Sequence, residues 1–156
     1  MIPPLDERGL LPAGVHDAAL EEIPGIFCHN AHRVELWTCI TERFLPVLKL
    51  ELGSYSPTIP VLVFGGSFFS DKASPQDVEM TAVFDQTYGD ACLWQAMQTF
   101  WGKHDMWKDQ YRADYYPSLP GGSDFSQFFQ YVGEKTAQAK GLSEKDYRGV
   151  LRIRQW

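Results

Sequence analysis

Apolar and polar positions along the chain change period several times, and those changes mark out its elements. Residues 61–84 hold two β-rich apolar runs, Val61–Phe64 and Val78–Phe84, separated by Gly, Ser, Asp, Lys and Pro. The pattern predicts strand, short connection, strand. Upstream, Val34, Trp37, Ile40, Phe44 and Leu48 recur every three or four residues. That spacing predicts a helix from Asn30, its N-cap, to Leu50, with a kink or an end at Pro46. Arg33 within it reads as a solvated charge, and His29 and His32 at its start lack a third ligand for a metal. Gly53–Pro60 reads as a loop into the first central strand.

Downstream, Asp85–Asp90 reads as a loop with Asp90 as a cap. A helix with Leu93, Met97, Phe100 and Trp101 on its apolar face follows and ends at Gly102. The mostly polar run Lys103–Gln110 reads as a connection. Arg112–Tyr116 predicts a short strand closed by Pro117, with Ala113 and Tyr115 on one face and Asp114 on the other. A turn at Pro120–Ser123 with Ser123 or Asp124 as a cap precedes a helical face of Phe125, Phe128, Phe129 and Val132. Val150–Arg154 alternates as a strand, Leu151 and Ile153 on one side, Arg152 and Arg154 on a solvated other. At the start, residues 1–15 read as an extended arm. Asp17–Glu22 then makes a turn or two of helix, ended by Pro24 and Gly25.

Bulk properties narrow the classes. The 156 residues suit one domain with a real core, and 44% hydrophobic and 14% aromatic content exclude a disordered segment. The net charge of −6 argues against general nucleic-acid binding, which needs a basic footprint. The three cysteines, Cys28, Cys39 and Cys92, are spaced too widely for a zinc knuckle or a disulfide framework, so reduced thiols in the cytoplasm are expected. No apolar run is long enough to span a membrane, and no basic-then-apolar leader is seen.

Candidate chemistry sits in the central stretch. Alternation along a strand puts Asp77 and Glu79 on one face with Val78 on the other. Two neighbouring carboxylates repel, and a divalent cation with a taste for hard oxygen, such as Mg²⁺, gives a reason to keep them together. Across the connection, Gly65 and Gly66 would let a phosphate approach the backbone, and Ser67 adds a hydroxyl. The same spacing also fits a glycine turn ahead of a half-exposed strand.

Gly66-Ser67, nine further residues, then Asp77-Val78-Glu79-Met80 resembles the signature of the nucleotidyltransferase superfamily of the polymerase β type. More narrowly, GSFFSDKASPQDVE is similar to a group of small prokaryotic nucleotidyltransferase-like proteins, with Glu79 standing where that group commonly has a second Asp. The likeness extends to LPAGVHDAALEE near the start and to FFQYVGEKTAQAKGL and RGVLRI near the end.

The resemblance implies an α/β fold of the minimal nucleotidyltransferase kind, a small mixed sheet packed by helices, in a single domain over 1–156. It implies that Asp77 and Glu79 bind Mg²⁺ carried by a nucleoside triphosphate. Gly65, Gly66, Ser67 and Lys72 would hold the phosphates. Asp114 would be the third acid, on an adjacent strand, completing a second metal site or acting as base. The implied reaction attaches a nucleoside monophosphate to an acceptor hydroxyl, with a partner protein as acceptor in a toxin–antitoxin-like pair. The alternative is a catalytically silent module that binds nucleotide or neutralises a partner.

Overall fold

The computed structural model describes residues 1–156, and its centre is a five-stranded mixed sheet. The strands are β1 (Gly14–Asp17), β2 (Val61–Gly65), β3 (Val78–Val83), β4 (Ala113–Ser118) and β5 (Gly149–Ile153), in the order β1-β5-β2-β3-β4. The outer pairs β1/β5 and β3/β4 are parallel; β5/β2 and β2/β3 are antiparallel. The central stretch thus folds as the expected strand–connection–strand. Pro117 lies inside β4 and does not close it. Being the edge strand, β4 has one side with no ladder to complete, which is where proline is tolerated.

Period-2 alternation sorts the sheet into two faces. Leu62, Phe64, Val78, Met80, Ala82, Ala113, Tyr115, Leu151 and Ile153 belong to one core of 26 buried residues shared with the helices. Val63 and Val150 lie on the opposite face, in a small cluster with Phe129, flanked by Val83, Tyr116 and Phe125. Glu79 and Asp114 share the parity of that second face.

The helices are α1 (Ile23–Phe27), α2 (Ala31–Thr38), α3 (Leu45–Gly53), α4 (Asp90–Tyr111), α5 (Phe125–Phe128) and α6 (Glu134–Lys140). α2 and α3 are one continuous rod joined by a π-helical segment at Cys39–Phe44. Leu36, Ile40, Phe44, Leu48 and Leu52 are all buried at four-residue steps. Each such step overshoots an ideal turn by roughly 40°. The wider π turn restores the stripe to the core and absorbs Pro46, which falls in the first turn of α3. The expected kink is therefore a change of helical pitch. Asn30 caps α2, its side chain accepting from the Arg33 amide.

Four boundaries differ from the pattern-based expectation. Gly14–Asp17 at the end of the supposed arm is a strand, parallel to β5. Pro24 opens α1 instead of ending a helix, since the first turn needs no N–H from it. Helix α5 is only four residues long, and α6 follows it. Most consequentially, α4 runs through Gly102 to Tyr111. Trp107, 1% exposed, packs edge-on to Phe44 at 5.3 Å and Tyr115 at 5.6 Å. That burial outweighs the roughly 1 kcal/mol that an interior glycine costs.

Arg33 is the largest departure. It is 0% exposed, not solvated. Its Nε donates to the Lys72 carbonyl, Nη1 to the carbonyls of Phe27 and Phe68, and Nη2 to those of Ser70 and Lys72. All five guanidinium donors are used. Beside it, Asn30 Nδ2 donates to the Ala73 carbonyl and the His32 Nε2–H to that of Pro75. The first turn of α2 therefore clamps the whole connection between β2 and β3.

Replacing Arg33 with leucine strands the three buried carbonyls of Phe27, Phe68 and Ser70, and urea unfolding should show a loss of about 3 kcal/mol or more. At the other edge of the sheet, Arg152 donates to Asp17 at 2.7 and 2.8 Å, and Arg154 adds a bond at 3.3 Å. The Arg152 hydrogen bond leads in lowering the Asp17 carboxyl to about 2. A depressed carboxyl stabilises the fold above its unfolded pKa and stops doing so as pH falls through the folded one. Stability should therefore decline between about pH 4 and about 2, with a shallower slope in Asp17→Asn.

Candidate functional site

The second face of the sheet opens into a cleft of about 750 Å³. The strand register builds its floor. Glu79 is the rung partner of Asp114 across the parallel β3/β4 pair, and of Gly65 across β2/β3. Asp77 precedes β3 by one residue. Ser67, Lys72, Asp77, Glu79 and Asp114, five of the candidates, line this one cleft. Gly65 and Gly66 lie beneath the lining. A Cβ on Gly65 would run into Phe129, and one on Gly66 into the Glu79 carboxylate. Gly66 also sits at φ 80°, a conformation that favours glycine. The group that approaches the Gly66 backbone is thus the chain's own carboxylate.

Cations from outside the motif hold the acids. Lys108 Nζ lies 3.2 Å from Asp114 Oδ2 and 3.5 Å from Asp77 Oδ2. His104, one turn earlier on α4, places Nε2 3.0 Å from Asp114 Oδ1. Trp107 packs on Tyr115, from one face of β4, while His104 lies 5.0 Å from the ring of Tyr116, from the other. Helix α4 therefore straddles the β4 edge and delivers His104 and Lys108 to the floor. Opposite, Arg148 Nη2 lies 3.8 Å from Glu79 Oε2, and its Nε donates to the Phe129 carbonyl at 3.2 Å. Arg148 Nη1 is buried without a partner.

The electrostatics follow from burial and these pairs. Burial pushes the Glu79 carboxyl up, Arg148 pulls it down, and the charges of Asp77 and Asp114 push it further up. Burial works against the Lys108 ammonium, but its bonds to Asp114 and the nearby Asp77 outweigh that and raise its pKa. The Arg148 guanidinium is lowered by burial, with Glu79 opposing. Burial, then the Asp114 charge, raises the Tyr116 hydroxyl.

Three hard oxygen donors, two on one rung and Asp77 just before the strand, suit Mg²⁺ in kind. No three His, Cys, Asp or Glu side chains are drawn together as a ready metal cage. Mg²⁺ keeps several waters and commonly binds through one or two carboxylates plus substrate phosphates, so a preassembled protein cage is not what it needs. The residues that would hold it are Asp77, Glu79 and Asp114. His29 and His32 take no part, since His32 is bonded to Pro75. Arg152 and Arg154 face Asp17 at the far edge of the sheet.

Sequence patterning missed His104, Lys108 and Arg148. The first two were hidden by ending the helix at Gly102, although their four-residue spacing puts them on one helical face. Beside the main cleft, a smaller recess of about 260 Å³ shares Ser67, Lys72, Lys135 and Thr136 with it and adds Lys140.

Residues 3–146 match the model of a family described as of unknown function, DUF6932. No curated protein and no solved structure matches the chain. No helix is long and apolar enough to cross a membrane.

In the free protein Lys108 competes with any cation for Asp77 and Asp114. Lys108→Met should therefore tighten Mn²⁺ or Mg²⁺ binding severalfold in the absence of nucleotide, measured by titration calorimetry.

Proposed function

The chain belongs to the DUF6932 family, and for this member we propose a nucleotidyltransferase that moves a nucleoside monophosphate from a nucleoside triphosphate to an acceptor hydroxyl. The observation that carries the proposal is the pairing of Glu79 with Asp114 on one rung beside Asp77, in a cleft that also takes in Ser67 and Lys72. A carboxylate floor next to a hydroxyl and lysines is equipment for transfer at phosphorus. The resemblance of residues 66–80 to the superfamily signature supports the same conclusion.

In this proposal Ser67, Lys72 and Lys135 receive the β- and γ-phosphates at the lysine-rich end of the cleft. Bound Mg²⁺ would supply charge neutralisation on those phosphates. Asp77 and Glu79 would hold that Mg²⁺ over the floor, and Gly66 leaves room for the Glu79 carboxylate. The acceptor oxygen bonds to the α-phosphorus as the bond to pyrophosphate breaks, and Asp114 takes the acceptor's proton. His104 and Lys108 fix the Asp114 carboxylate for that role, each through a different oxygen. A protein hydroxyl is the proposed acceptor, as in toxin–antitoxin-like pairs, and the cytoplasm the proposed compartment, where the free Cys28, Cys39 and Cys92 stay reduced.

One observation favours a second function. Lys108 and Arg148 already pair with the three acids, as expected of a module that binds nucleotide, or a partner, without turnover.

Titration of ATP, CTP, GTP and UTP with Mg²⁺, with pyrophosphate release followed in parallel, separates the two. Release that appears on adding cell extract supports transfer. Binding without release under any acceptor supports the silent module. Asp77 is half-buried and its ion pair, with Lys108, is at 3.5 Å. Asp77→Ala should therefore keep its melting temperature within a few degrees and lose transfer by at least a hundredfold. A folded Asp77→Ala protein with full activity overturns the assignment.

A further inference from the structure

The cleft has two chemically different walls. One is charged, from Ser67 and Lys72 across the acids to Lys108. The other is aromatic and centres on Phe128, which is 66% exposed although it lines the cleft. A phenylalanine left in water forgoes the free energy that burial would give it. Here that cost is borne inside a concave site, where a ligand can recover it.

The exposed ring is also rigidly backed. Phe128 packs on Phe125 at 6.4 Å and on Phe129 at 6.3 Å. Phe125 stacks on Tyr116 at 4.5 Å with planes 23° apart. Asp124 caps the turn, its side chain accepting from the amides of Ser126 and Gln127. Tyr116 stands next to Asp114 on β4, so the aromatic tier is anchored to the strand that carries the third acid. Arg148 joins the walls, bonding the Phe129 carbonyl on one side and pairing with Glu79 on the other. The aromatic ring is thus tied to the carboxylates twice, through the Phe125–Tyr116 stack on β4 and through Arg148.

The geometry points to Phe128 as the platform on which the nucleobase of the triphosphate stacks. The inference rests on the cleft being a nucleoside triphosphate site and adds where the base lies: against Phe128, away from the Ser67, Lys72 and Lys135 end. Stacking on a ring face tolerates every base, so purines should bind better than pyrimidines by ring area alone, with no strict choice among the four.

The probes that test this are Mg·ATP and inorganic Mg·tripolyphosphate, which carries the phosphates without the base. Wild type should bind ATP at least tenfold tighter than tripolyphosphate. Phe128→Ala should lose about tenfold in ATP affinity with tripolyphosphate unchanged. Phe128→Trp should restore ATP affinity and add a nucleotide-quenched fluorescence signal absent from wild type. Equal affinity of wild type for ATP and tripolyphosphate overturns the platform while leaving the phosphate site standing. An equal loss for both ligands in Phe128→Ala does the same. Failure of wild type to bind either ligand overturns the nucleotide site and the platform with it.

Discussion

A single buried guanidinium holds together the part of the molecule on which the cleft depends. Arg33 has no carboxylate partner; its charge is spread over the carbonyl oxygens of Phe27, Phe68, Ser70 and Lys72. It also lies 5.0 Å from the centre of the Phe68 ring, a cation–π contact in a desolvated setting. A buried cation is costly unless every donor is satisfied, and here every donor is. The connection between β2 and β3 can then follow an irregular path without leaving its backbone oxygens unpaired. Ser67 at the start of that path and Asp77 at its end face the same cleft because the clamp fixes everything between them.

Beyond the clamp, the floor is organised by register and charge balance. Parallel pairing sets Glu79 against Asp114, a like-charge pair that would be unfavourable alone. Lys108 and Arg148 come from two other parts of the chain and offset that repulsion, while His104 shares a hydrogen bond with Asp114. Each of the three is tied at once to structure and to the floor. Arg148 bonds a carbonyl under the aromatic wall, and His104 packs against Phe100 and Tyr116. Fold stability and the electrostatics of the cleft are therefore carried by the same side chains.

What could be read from the sequence followed the range of the forces involved. The strand pair around 61–84, the facing of Asp77 with Glu79 and the face of its strand on which Asp114 lies all depend on alternation within a few residues, and alternation is visible in a string of letters. The mixed sheet was expected only from the family resemblance that stretch carries. Arg33 could not be read, because its partners Phe68, Ser70 and Lys72 lie 35 to 39 residues away. Strand β1 was hidden because GVHD is too short for a period to show, and its pairing with β5 is a tertiary matter. The last turns of α4 were lost to Gly102, whose local preference is overridden by the distant Phe44 and Tyr115 around Trp107. Arg148 looked like any basic residue of a charged turn, and only folding makes it 9% exposed.

Helix α4 carries one further implication. Trp107 seats it in the core, while His104 and Lys108 project from it to Asp114. Each residue of an α-helix advances about 100° around the axis. Inserting or deleting one residue between His104 and Lys108 would swing one of these groups out of phase with the others, whatever the residue's identity. Exposed positions along that stretch, such as Met106, contribute nothing to this phase. Its length, by contrast, is fixed by rotation, and a change of one residue there would mark a chain whose cleft is built differently.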